Sequence, residues 1–173
     1  MTLQQLETLT VKWSHDRGIT TNGKSTTQMC KLMSEFGELC GNLHEGKDIK
    51  DDIGDMMVVF TNISRLMELG ILEDCKPNFE DTREGILMLG KYLGDLADNI
   101  IKDEKEDAKT NIGNCIYQLI ILATSVCHTD LAECWEIAYN EIKDRKGFLT
   151  ADGTFIKDSD PAYFSLAFEG KPL

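Results

Sequence analysis

The chain has 173 residues, 42% of them hydrophobic and 8% aromatic, which suits one domain of ordinary globular composition with a sizeable core. Its formal charge of -12 argues against a polyanionic partner such as duplex DNA gripped through phosphates. A small phosphate-bearing molecule stays open if a divalent cation screens it.

Met1-Thr2-Leu3-Gln4-Gln5 has no basic start and no apolar run, and no stretch reaches the ~18 consecutive apolar residues of a spanning helix. No signal peptide, no membrane partner and a cytoplasmic location are therefore expected. The six cysteines contain no C-x-x-C pair and fall mostly at apolar helical positions, which predicts reduced core residues. Asn62-Ile63-Ser64 matches a glycosylation pattern that carries no meaning in a cytoplasmic helix.

Leu3, Leu6, Leu9 and Trp13 recur at helical spacing and predict a first helix from Leu3 to about Asp16, broken by Gly18 and Asn22-Gly23. Ser25 or Thr26 is placed to cap a second helix that reaches about His44, before Gly46. Its apolar stripe is Met29, Leu32, Met33, Phe36, Leu39, Cys40 and Leu43. A turn of ~100° per residue gathers Gln28, Lys31, Glu35, Glu38 and Asn42 on one flank. Asp48 is placed to cap a third helix to about Leu69, with Ile53, Met56, Met57, Phe60, Ile63 and Met67 towards the core. Asp52, Asp55 and Asn62 share one of its flanks.

A connection from Glu73 to Asp81 precedes a fourth helix from about Arg83 to Ile101. A charged turn leads to a fifth from about Asp107 to Cys127. The last runs from the cap Thr129 or Asp130 to about Arg145. Beyond Gly147 an irregular tail is expected, with a small hairpin between Phe148-Leu149 and Phe155-Ile156. The expected class is all-α, a single domain over 1–173 formed as a bundle of about six helices.

Glu35 and Glu38 stand three residues apart, as do Asp52 and Asp55, so each pair lies on one side of its helix. On neighbouring antiparallel helices the four carboxylates would converge, and their repulsion calls for a hard divalent cation. The bland alternative is a solvated face, with Asp52 favoured in a first helical turn by the helix dipole. Asp55 sits too far along for that. His15, His44 and His128 form no spaced ligand set, so no Zn²⁺ site is expected, and the E-x-x-H of di-iron bundles is absent.

The later helices echo the earlier ones. Residues 36–43 align with 93–100, and Asp52-Ile53-Gly54-Asp55 aligns with Asn111-Ile112-Gly113-Asn114 after two extra residues. Glycines and apolar positions persist, while Glu35 becomes Tyr92, Glu38 becomes Asp95, and Asp52 and Asp55 become Asn111 and Asn114. An active hairpin over about 25–69 and a degenerate copy over about 83–127 are thus expected, followed by the helix at about 130–146 and the tail.

These residues resemble the all-α nucleotide pyrophosphohydrolases, the MazG-like family, whose signature is E-x-x-E on one helix and E-x-x-D on the next. Trp13-Ser14-His15-Asp16-Arg17-Gly18-Ile19 is similar to the family's W-x-x-D-R-G-I stretch, Lys31 to its lysine before the acids, and Asn62 to its asparagine after them. The segment 138–147 is similar to the A-Y-x-x-I-K-x-R-K-G run of phage and bacterial members. The likeness covers about residues 10–157, and the degenerate second hairpin resembles the dimeric dUTPase-like members. Ser34 stands where the family often has a further acid, and Asp52 replaces its usual glutamate.

The resemblance implies hydrolysis of a nucleoside triphosphate to the monophosphate and pyrophosphate, for nucleotide-pool control. Glu35, Glu38, Asp52 and Asp55 would hold Mg²⁺ or Mn²⁺, with Glu35 or Glu38 as general base. Lys31, Lys143, Arg145 and Lys146 would meet phosphates, and Trp13 and Asn62 the base or sugar. The three cations at the last helix end equally suit its dipole, and Trp13 equally suits packing. A narrow dUTPase- or dCTPase-like specificity, or a catalytically inactive interaction protein, are the rival readings. A homodimer and a pseudo-dimeric monomer both remain open.

Overall fold

The structure, a computed structural model, describes residues 1–74, 85–161 and 163–165. The expected connection at 73–81 and the expected helix start at Arg83 lie wholly or largely outside them, as does Cys75. The fold is all-α. Its helices are α1 (Leu3–Asp16), α2 (Ile19–Asn22), α3 (Ser25–His44), α4 (Lys50–Leu66), α5 (Ile71–Asp74), α6 (Gly85–Lys102), α7 (Lys105–Ser125) and α8 (Leu131–Ile142). One small antiparallel ribbon follows, β1 (Gly147–Leu149) against β2 (Phe155–Lys157), with Phe148 opposite Ile156.

The centre of the bundle is α4, which packs against α1, α3, α7 and α8. Its sequence is apolar around almost the whole circumference, and residues from Ile53 to Ser64 other than Asp55 are buried. A helix that is hydrophobic on all sides has to be surrounded. Gly54 lets α8 come in: a methyl there would lie 2.2 Å from the Cys134 carbonyl oxygen and 2.7 Å from Ala138 Cβ. Phe36 of α3 lies over Gly90 of α6 in a similar close approach. The expected core face of α4 is buried throughout, whereas Met33 of α3 is 46% exposed. Among the cysteines, Cys115 and Cys134 are buried, but Cys30 is exposed, against the expectation of a core position.

The hairpins α3–α4 and α6–α7 carry the same devices at aligned positions. Lys47 N donates to the Asn42 carbonyl and Glu104 N to the Asn99 carbonyl, each at 2.9 Å, which closes the helix end through a left-handed residue. That residue is Gly46 in one hairpin and Asp103 in the other. Across each hairpin runs one amide contact: Asn42 Nδ2 donates to Asp52, and Asn111 Nδ2 donates to Asn99 Oδ1 at 2.8 Å.

Helix ends differ from expectation at two places. Neither Ser25 nor Thr26 caps α3, whose N-cap is Lys24 without a side-chain bond. The β1–β2 turn occupies that end instead, with Thr27 Oγ1 donating to the Asp152 carbonyl and Gly153 against Lys24. α8 stops at Ile142 rather than Arg145, because Arg17 Nε donates to the Arg145 carbonyl at 2.9 Å and its Nη2 to Lys143 at 3.3 Å. The Asp130 cap is present, accepting from Glu133 N at 2.8 Å. No helix among the described residues is long and apolar enough to cross a membrane.

Candidate active site

A cavity of about 600 Å³ opens between α3, α4, the end of α8 and the β1–β2 ribbon. One end is charged, lined by Lys31, Glu35, Glu38, Asp51, Asp55, Glu141 and Arg145. The other is mainly apolar, with Trp13, Ile19, Val58, Val59, Ile142 and Phe155 around Gln28 and Asn62. Helical geometry produces this division: positions 28, 31, 35 and 38 run down one side of α3, and 51, 55, 58 and 62 down the facing side of α4.

Glu35 is only 3% exposed. Its Oε1 is paired with the Lys31 ammonium, while Oε2 is buried without a partner. Asp51 likewise buries its Oδ1 unpartnered. Burial, then the charges of Glu35 and Asp51, pushes the Asp55 carboxyl up to about 7. Burial, then Glu141, raises that of Asp51. Glu38 lies at the exposed rim with no hydrogen bond or ion pair among the described residues.

Several residues singled out from the sequence line the cavity together: Trp13, Lys31, Glu35, Glu38, Asp55, Asn62 and Arg145. Asp52 does not. It is buried beside the α3–α4 turn, where both of its oxygens accept from Asn42 Nδ2 at 3.0 Å, and Asp51 takes the cavity-facing place. Lys143 and Lys146 are also off the cavity, with Lys143 Nζ bonded to Asn140 Oδ1 at 2.9 Å. Trp13 is pinned on several sides: its Nε1 donates to the Ile142 carbonyl at 2.7 Å, Arg17 covers its ring at 4.7 Å, and Phe155 packs 6.1 Å away. It forms a wall.

Sequence reasoning missed Asp51, Glu141, Gln28 and the ribbon residues Thr154, Phe155 and Lys157. Asp51-Asp52 adjacency was visible, yet helical rotation alone does not choose between two neighbours. Gln28 stood on the charged flank of α3, and its polarity on a half-buried stripe was the available signal.

The donor set suits a hard divalent cation. It consists of carboxylate oxygens, two of them buried and lacking any donor, at a point where negative charges repel. Among the described residues no three His, Cys, Asp or Glu side chains form a ready-made cage. Mg²⁺ commonly takes one or two carboxylates and completes its shell with waters and phosphate oxygens, which an open-sided cluster permits.

Among known proteins, the chain is similar to the "Uncharacterized 18.2 kDa protein in rep-hol intergenic region" of Haemophilus phage HP1 (strain HP1c1), at 40% identity over 65 residues. The match covers 36% of this chain and 40% of that protein, so it spans well under two thirds of the relative's length. No family profile and no solved structure matches the chain.

Proposed function

We propose that this chain is a Mg²⁺-dependent nucleoside triphosphate pyrophosphohydrolase, cleaving the α–β anhydride bond with water to give the monophosphate and pyrophosphate. One observation carries the proposal. A single nucleotide-sized cavity joins a cluster of carboxylates with buried unpartnered oxygens to an apolar pocket floored by two amides. The resemblance of Glu35, Glu38, Asp55, Lys31 and Asn62 to the MazG-like pattern supports the same reading.

Glu35, Asp51 and Asp55 would hold the ion, with Glu38 at the rim and Asp52 behind it, held by Asn42. A bound ion would screen the triphosphate and lower the pKa of an attacking water. Glu38, unencumbered and solvent-facing, is the better placed acceptor for that water's proton, since Lys31 already engages Glu35. Lys31, with half of its side chain exposed, is free to exchange Glu35 for a phosphate oxygen. Arg145 offers a guanidinium to phosphate, since its 4.0 Å approach to Glu141 is a loose pairing. Trp13 and Phe155 exclude water from the far end.

The test is Mg²⁺-dependent pyrophosphate release from the eight common ribo- and deoxyribonucleoside triphosphates. Turnover lost in Glu38→Gln, with the fold retained, supports the assignment. Absence of turnover by the natural protein, together with no Mg²⁺-induced thermal shift, overturns it and leaves the interaction-protein reading.

A further inference from the structure

Three polar side chains are buried around the apolar half of the cavity: Ser14 of α1, Gln28 of α3 and Asn62 of α4, at 0%, 6% and 3% exposure. The Ser14 hydroxyl donates to Asn62 Oδ1, and Asn62 Nδ2 donates to Gln28 Oε1 at 2.9 Å. In this relay the Asn62 oxygen takes the hydroxyl proton, its amino group faces Gln28, and the Gln28 oxygen receives it. The Gln28 amino group is left to the cavity that it lines. Of the neighbouring side-chain donors, Trp13 Nε1 is engaged by the Ile142 carbonyl and Thr27 Oγ1 by the Asp152 carbonyl, while Lys157 enters from the exposed ribbon.

We infer that Gln28 reads the nucleobase, donating to a ring carbonyl oxygen at pyrimidine position 4 or purine position 6. Uracil, thymine and guanine are thereby selected over cytosine and adenine, which carry an amino group there. This rests on the function proposed above. Gln28 and Glu35 are seven residues apart on one helix, about 10 Å of rise. That is comparable with the reach from a nucleotide's α-phosphate across the sugar to its base. Phosphates held at the acids point the base at Gln28, and the substituent opposite the glycosidic bond enters deepest. Val58, Val59 and Ile19 offer apolar surface to a flat ring. A keto oxygen completes the buried relay, whereas an amino group sets donor against donor and leaves both unsatisfied.

The experiment uses the whole chain. The ratio of kcat/KM for dUTP over dCTP is measured with Mg²⁺, and calorimetry compares dUMP with dCMP without metal. The expected preference for the keto base is about tenfold or more in each. Gln28→Glu keeps one oxygen for Asn62 and presents an acceptor to the base, so the preference should invert. Ser14→Ala releases the relay without touching substrate and should bring the ratio towards one, which covers the case of a poorly folding Gln28→Glu. Equal turnover and binding of keto and amino nucleotides by the natural protein, or equal loss for every base in Gln28→Glu, overturns the inference. Absent turnover of all triphosphates with a retained dUMP preference would instead count against the hydrolase reading and for the base reader.

Discussion

Asp55 shows how one carboxylate records the character of its surroundings. It sits about one and a half turns inside α4, beyond the reach of the helix dipole, with burial and two neighbouring acids raising its carboxyl from 3.8 to about 7. In the unfolded chain it titrates near 4, so the folded state holds the proton more tightly. The stability that this provides is complete below about pH 4 and is lost as pH rises towards 7. Asp51 and Asp52 shift in the same sense, burial leading in both. In metal-free protein, Asp55→Asn should therefore gain up to about 4 kcal/mol over the natural chain at pH 8 and nothing at pH 4. Urea midpoints across that range are the measurement, and an advantage independent of pH would refute the electrostatic cause. Mg²⁺ added at pH 8 should stabilise the natural chain and not this variant, by mass action on the folded state alone.

At the scale of elements, close approaches and caps decide where the functional side chains stand. α8 can deliver Arg145 to the cavity only because Gly54 admits it. Gly54→Ala should cost about 3 kcal/mol or more, since the nearest obstacle is backbone and no rotamer relieves it. Gly37→Ala, where a methyl meets nothing within 4 Å, should instead stabilise by about 0.5–1 kcal/mol through helix propensity alone. Thermal and chemical denaturation of the two variants separates packing from propensity.

Arg17 acts at the same scale. Its guanidinium gathers the Lys143 and Arg145 carbonyls and covers Trp13, so it joins α1 to the end of α8. Arg17→Ala should lose about 1–2 kcal/mol of stability. On the function proposed above, it should also raise KM for triphosphate several-fold by loosening Arg145, with little change in kcat. A variant with unchanged KM would confine Arg17 to folding. Helix boundaries were legible in the sequence wherever local signals acted alone, as at Asp130. They were not legible at the start of α3 or the end of α8, where a ribbon turn and Arg17 arrive from distant positions.

Across the whole molecule, two helical hairpins share their turn geometry and one cross-hairpin amide contact, yet line different surroundings. Asn42 holds Asp52 next to the charged end of the cavity, whereas Asn99 meets Asn111 in the other hairpin. Asn99→Ala should lower stability by about 1 kcal/mol or more with turnover unchanged. Asn42→Ala should leave the buried Asp52 carboxylate without its donor and reduce both stability and Mg²⁺ affinity. Parallel denaturation curves and metal titrations of the pair distinguish a site support from a scaffold contact. Equal effects on turnover would refute the division of labour.

By itself the sequence determined the all-α class, the main helices, the core face of α4 and the alignment of the two hairpins, because periodicity and glycine placement are local properties. It also marked Glu35, Glu38 and Asp55 through their spacing. Only the tertiary structure decided that Asp51 rather than Asp52 faces the cavity. Successive helical positions differ by ~100°, and Asn42 from another helix captures Asp52. Tertiary structure alone also brought Phe155 and Lys157 from the ribbon to the cavity, and set Ser14, Asn62 and Gln28 in one relay across three helices. Contacts between residues far apart in the chain leave no periodic trace in it.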